Sequence, residues 1–308
     1  MAVVRFVAGR LAMVPLIVIG VVTVLFLIFK AVPGDEATMI AGATATQAEI
    51  NAIRVQLGLN QPIMVQYFGH LAALARGNFG YSPTFHGNPL PYIVARIPAT
   101  LILTASAVTL TILLGIPAGV VAAAMQNRWP DLTISGSVVT FLAVPNFWLG
   151  MIMIAVFSVQ LGWLPSFGFR GPLSLIMPSF TLAARLIAIV ARMTRGLVID
   201  EMRKDYVRTA RAKGLGMRRT LWRHVLRNAL LPTITALGLE AGYLLGGSVV
   251  IERLFAWPGI GDLLLNAIGN RDYTLVQGIT ILFVVGFLLV NLIVELLYIL
   301  VNPRLRHA

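Results

Sequence analysis

The chain reads as long apolar runs separated by short polar ones. Residues 11–29 form an unbroken apolar run, long enough at about 1.5 Å per residue to cross a bilayer, with Arg5 and Arg10 ahead of it. Runs of similar character cover residues 99–125, 132–161, 177–199, 229–251 and 274–301. This pattern predicts an all-α membrane protein with six transmembrane helices. One polar block, residues 201–232, interrupts the apolar runs in the second half of the chain, and the pattern on either side of it presents it as a loop between the fourth and fifth spans.

The first run is too long for the core of a typical signal peptide and no small-x-small site closely follows it. It is predicted to stay as an uncleaved span, ended by a turn at Pro33, Gly34 and Asp35. Hydropathy then falls over residues 31–98, acids and bases nearly balance, and Pro and Gly recur. This is the pattern of an extracytoplasmic segment with short helices, one of them over residues 46–57. Pro98 is predicted to open the second span, in which Gly115, Pro117 and Gly119 either loosen the helix or let a neighbour approach closely. In the third span Pro145 removes one backbone hydrogen bond, giving a hinge or a static kink. The division expected is an N-terminal span over 1–30, the segment 31–98, a core of five helices over 99–302 containing the loop 200–228, and a tail over 303–308.

Composition supports the membrane reading: 58% of residues are apolar and the mean hydropathy is +0.85. The formal net charge of +12 does not point to nucleic acid, because the basic residues are concentrated between apolar spans. Eleven of the 24 Lys and Arg lie between Arg192 and Arg227, and sixteen fall on the side that the six-span arrangement makes cytoplasmic, with both termini on that side. Two charges are read as deep within spans, Arg185 in the fourth and Glu240 in the fifth, while Arg192 and Arg195 near the end of the fourth are counted with the loop. Such charges face a partner or water, and a structural pair across the bundle is the reading preferred over a role in the pathway. There is no Cys, and the four His are too scattered for a metal cluster. None of the three lysines, Lys30, Lys204 and Lys213, precedes Ser or Thr as a phosphate-binding loop requires. No nucleophile elbow or zinc motif is present either, so this chain is expected to be non-catalytic.

The polar loop is rich in Ala, Arg and Leu and breaks at Gly214 and Gly216, predicting two short helices joined by a bend. Tyr206, Ala210 and Gly214 recur every fourth position as a small-residue stripe that another protein can approach, flanked by Asp205, Arg208, Thr209 and Lys213. The run from Asp205 through Ala212 and Gly214 to Pro232 resembles the cytoplasmic loop of binding-protein-dependent ABC importer permeases. The stretches ARGNFGYS (75–82) and FAWPGIGDLL (255–264), and the Asn-Pro-Arg ending at Asn302, resemble the peptide and nickel branch of that family, in particular its B-type subunit. The resemblance implies the type I importer fold, with the seven loop residues just named, from Asp205 to Gly214, coupling to an ATPase. It also implies a C-type second permease subunit, two ATPase subunits that bind ATP and Mg, and an extracytoplasmic solute-binding protein. The outer hairpin with Trp257, Pro258 and Asp262 is the candidate contact for that binding protein. No cofactor is expected in this chain, and its expected place is the bacterial plasma (inner) membrane. The cargo expected is di- or oligopeptide, with nickel, haem, glutathione or opine as alternatives. A stand-alone secondary carrier is the reading from a different class.

Overall fold

The computed structural model describes residues 2–31, 36–42 and 45–301; regular structure there is helical apart from one bridge between Ser82 and Gly87. The predicted turn at Pro33 to Asp35, the tail containing Asn302, Pro303, Arg304 and Arg306, and the side chain of Arg5 lie outside the described residues.

The chain opens with α1 (Ala2–Ala31), α2 (Glu36–Ala41), α3 (Gln47–Gln56) and α4 (Ile63–Ala75). The start of α3 is where its sequence places it. Thr46 accepts from the Glu49 amide, and the Glu49 carboxylate reaches back to the Thr46 amide at 2.7 Å, so two otherwise orphaned donors are satisfied. Next, α5 (Leu90–Leu110) continues through one wide turn, Thr111–Gly115, into α6 (Ile116–Ala124). Pro98 does not open this helix as predicted; it lies inside it. The Asn88 side chain accepts the Leu90 amide at 3.0 Å, and Pro91 fills the first turn, where a missing N–H costs nothing, so the helix begins at Leu90. The wide turn falls just ahead of Pro117, which has no N–H to offer the carbonyl one turn back.

The second half comprises α7 (Trp129–Ala143), α8 (Asn146–Met153) with a wide-turn extension over Ile154–Gln160, α9 (Leu173–Met202), α10 (Asp205–Ala212), α11 (Met217–Thr220), α12 (Leu226–Leu254), α13 (Ile260–Gly269) and α14 (Tyr273–Val301). The third predicted span is not one kinked rod. Its two halves, α7 and extended α8, meet at 108°. Val144, ahead of Pro145, is forced into extended backbone, which ends one helix before Pro145 starts the next. By length and apolar character four helices can cross a membrane, Val7–Ala31, Leu90–Ala124, Leu173–Met202 and Tyr273–Leu296, with a fifth if the bent pair counts as one span. The predicted span 229–251 lies within the continuous helix α12.

Two compact units result. One comprises Met1–Val3, Ile97–Asp262 and Phe287–Ala308; the other comprises Val4–Arg96 and Leu263–Gly286. In the first, α9 is the central rod: Leu182, Leu186 and Val190 pack with Leu103, Ile251, Phe255 and Trp257. Glycine makes this approach close. A Cβ on Gly119 would stand 2.5 Å from the Ala191 carbonyl oxygen, and one on Gly115 would stand 3.1 Å from that of Ile187, so these residues serve packing of α6 on α9. In the second unit the buried Asp272 caps α14 by accepting the Leu275 amide at 3.0 Å. It also takes the Ser82 hydroxyl and, at 3.2 Å, the Thr84 amide, which fixes the turn closed by the Ser82–Gly87 bridge. His70 on α4 bonds Gln277 on α14 at 3.0 Å, and Phe29 stacks on Tyr273 with centroids 4.7 Å apart.

Candidate functional site

The helix at the centre of the sequence argument, α10, is held from several sides. Tyr206 donates its hydroxyl to Glu201 at 2.6 Å, Lys204 pairs with the same carboxylate, and Asn228 donates to the Tyr206 oxygen at 3.3 Å. The end of α9, the whole of α10 and the start of α12 are therefore tied through one phenol. Burial first, and then the bond to Glu201, push the Tyr206 phenol above its ordinary range, so it stays protonated and donating. At the other end Gly214, with φ +82°, closes α10: its amide reaches Arg211 O at 2.9 Å and the Leu215 amide reaches Ala210 O at 3.2 Å. That pair of bonds is a Schellman cap, and the left-handed residue in it is best filled by glycine.

Of the stripe predicted to face another protein, Ala210 is buried, Tyr206 is half-buried and Gly214 alone is exposed. Ala210 is 9% exposed; Val207 is buried and packs with Val120, Val198, Leu221 and Val225, and the half-buried Tyr206 lies against the same cluster. The physical reason is ordinary amphipathicity. Val207 is the most apolar residue of α10, and the small side chain of Ala210 allows that face to sit close on the bundle. The surface left outward consists of Asp205, Arg208, Thr209, Arg211, Ala212, Lys213 and Gly214. A second support was not anticipated from the sequence. Arg195 clamps Asp131 bidentately, Nε to Oδ1 at 2.6 Å and Nη2 to Oδ2 at 2.7 Å, and Asp131 also accepts the Asn127 amide at 2.9 Å. The turn before α7 is thus fastened to the part of α9 that leads into α10. The available signal was the rarity of acids: Asp131 is one of only 12 Asp and Glu in a chain of 308.

The outer hairpin also turns inward. Trp257, predicted to contact a binding protein, is 1% exposed, and its Nε1 donates to Ala99 O at 2.9 Å. It is an anchor of the bundle, whereas Pro258 and Asp262 keep partial exposure and Asp262 pairs with Arg253 at 3.1 Å. Behind them lies the fully buried Glu252. It accepts the Thr100 hydroxyl at 2.7 Å, the Gly261 amide at 2.7 Å and the Asp262 amide at 3.2 Å, while Thr100 Oγ1 accepts the Ile260 amide at 2.9 Å. The first amides of α13 are so satisfied by one carboxylate and one hydroxyl. A Cβ on Gly259 would lie 2.3 Å from the Glu252 carboxyl, so the bend there admits glycine alone. Arg185 and Glu240 do not form the expected pair: among the described residues no ion pair joins them, Arg185 being exposed and Glu240 half-buried.

The described residues include four helices of membrane length and a braced basic elbow between α9 and α12, the architecture of an integral membrane protein. The chain belongs to the family described as binding-protein-dependent transport system inner membrane component, which matches residues 115–307, and its residues 3–104 match the N-terminal part of such components. The glutathione transport system permease protein GsiC of Escherichia coli strain K12 is 41% identical over 297 residues, 96% of this chain and 97% of that protein. The GsiC protein of Salmonella choleraesuis strain SC-B67 matches at the same identity and coverage. Among solved structures, an inward-facing MetNI methionine ABC transporter chain superimposes with TM-score 0.60 at 21% identity, covering 70% of this chain and 98% of that one. An amino acid ABC transporter chain gives 0.51 at 19%, covering 68% and 94%. These two show the fold. The protein is a multi-pass inner-membrane permease of an ABC importer, a non-catalytic component that works with an ATPase and a binding protein.

Proposed function

We propose that this chain is the B-type permease subunit of an importer for small peptides. In this reading it crosses the membrane six times with both termini cytoplasmic, pairs with a C-type permease, and receives cargo from an extracytoplasmic binding protein. Two separate ATPase subunits bind ATP and Mg; this chain binds no cofactor. Asp205, Arg208, Thr209, Lys213 and Gly214 form the surface that an ATPase meets, while Tyr206 and Ala210 transmit its motion into the bundle. The observation that carries the reading is the bracing of α10 through Tyr206, Glu201 and Asn228, since a helix that passes force must not slip on its support. Reversing a two-state population from 1:99 to 99:1 takes roughly 5.5 kcal/mol of differential interaction, and a loose elbow would dissipate it. The relatives named for glutathione transport favour the glutathione alternative over nickel, haem or opine, and glutathione is itself a small peptide, so they support the small-peptide class.

The test separates surface from support. Reversing the exposed charges with Asp205→Arg and Arg208→Glu leaves the packing face of α10 untouched. Uptake in the assembled importer is expected to be lost, with ATP hydrolysis no longer stimulated by loaded binding protein and membrane insertion unchanged. Wild-type transport by the double variant would reject the coupling role.

A further inference from the structure

The middle of α9 is wrapped by its own chain on every side but one. Gly115, at the end of the wide turn, and Gly119 of α6 sit against Ile187, Val190, Ala191 and Thr194, and Val138 of α7 packs with Ala188 and Ala191. Gly150 of α8 lies against Thr181, and Gly247 of α12 against Leu182. Around Arg185 the flanking Ala183, Ala184, Leu186 and Ala188 are buried, yet Arg185 itself is exposed. It emerges through the stripe that α8 and α12 leave open. At about 100° per residue Arg192 stands only some 20° off the same line, about 10 Å further along the axis, and it is exposed as well, as is Gly196. Among the described residues neither guanidinium meets a carboxylate, Glu240 included. A guanidinium in mid-span, as at Arg185, faces water or a counter-charge and not lipid chains.

We infer that Arg185 and Arg192 form an anion track along the translocation path, which takes the free carboxylates of peptides in transit. The guanidinium fork matches a carboxylate bidentately, as an ammonium does not. An extended peptide advances about 3.3 Å per residue, so the axial separation of the two arginines corresponds to about three residues. The substrate class is therefore short peptides with a free C-terminal carboxylate, and those with a second, acidic group near the other end engage both arginines. The inference rests on the peptide-importer reading above and adds the chemistry by which the permease itself selects.

The experiment uses the complete importer in proteoliposomes with saturating preloaded binding protein. It measures uptake of one tripeptide as its free acid and as its C-terminal amide. For Arg185→Gln, free-acid uptake is expected to fall roughly 10-fold or more, the loss typical of a charge-assisted hydrogen bond, while amide uptake changes less than about 2-fold. Arg185→Lys restores part of the acid-to-amide ratio, and Arg192→Gln lowers the ratio most for a peptide with an acidic first residue. An unchanged ratio overturns the track. So does an equal loss of both cargoes, the result expected if Arg185 instead pairs with an acid on the second permease. If the wild-type importer takes up neither tripeptide, the peptide reading itself fails, and the track falls with it.

Discussion

Removing the Glu252 carboxylate should unfasten α13 from the core. In Glu252→Ala the Gly261 and Asp262 amides and the Thr100 hydroxyl all lose their acceptor in a site with no solvent access. Each orphaned buried donor costs about 1–3 kcal/mol, and a side-chain-sized void adds to that. Local relaxation recovers part, leaving a net loss of about 3–5 kcal/mol. Thr100→Val keeps the shape but orphans the Ile260 amide and takes one of several donors from the Glu252 carboxylate, for about 1–3 kcal/mol. The order expected is therefore wild type, then Thr100→Val, then Glu252→Ala. Unfolding of the detergent-solubilised protein, followed by tryptophan fluorescence, provides the assay, because Trp257 sits in the same latch and reports its opening. At about 2–4 °C per kcal/mol, Glu252→Ala should melt roughly 6 °C or more below wild type. A Glu252→Ala protein that melts within about 1 °C of wild type, with the Trp257 signal unaltered, would refute the latch.

Gly119→Ala places a methyl 2.5 Å from the Ala191 carbonyl and 2.6 Å from Thr194 Cβ, so α6 and α9 must part. Overpacking of this kind should cost about 1–3 kcal/mol in the same melting assay, whereas Gly136→Ala, where nothing lies within 4 Å, should be close to neutral. His70 gives a pH dependence. Burial first, with Lys30 adding to it against an opposing bond from Gln277, holds its imidazole below the ordinary value of 6.5. The unfolded chain then binds the extra proton in the window below 6.5, so His70 contributes stability that is complete above that pH and is lost as the pH falls. Melting between pH 7.5 and pH 5 should drop further for wild type than for His70→Gln.

Much of the helical plan was legible because its causes are local. The helix that starts at Thr46 and the break at Gly214 both follow from residues within a turn of one another. Local signals also misled where two of them competed. Pro98 reads as a helix start, but Asn88 and Pro91 supply a better one upstream, and Pro145 reads as a kink although Val144 cannot remain helical before it. At the candidate site, the sequence indicated which residues matter around α10 but not which way they face. Tyr206 and Ala210 have the size and spacing of a docking stripe, yet Ala210 is buried and Tyr206 packs against the cluster that α9 and α12 share with Val207.

By itself the sequence determined that the protein lives in a membrane, that its basic residues gather in one loop between apolar rods, and that this loop breaks at Gly214; the second short helix it predicted is instead the start of one helical run from Met217 through α12. Apolar runs and caps are written in neighbouring residues, so no fold is needed to read them. Only the tertiary structure decided that Trp257 anchors inward, that Glu252 and Thr100 together cap α13, that Asp131 belongs to Arg195, and that Arg185 stands apart from Glu240. Those partnerships join residues far apart in the chain. They depend on which faces of α9 its neighbours cover, a property of the packed bundle that no stretch of the chain carries alone.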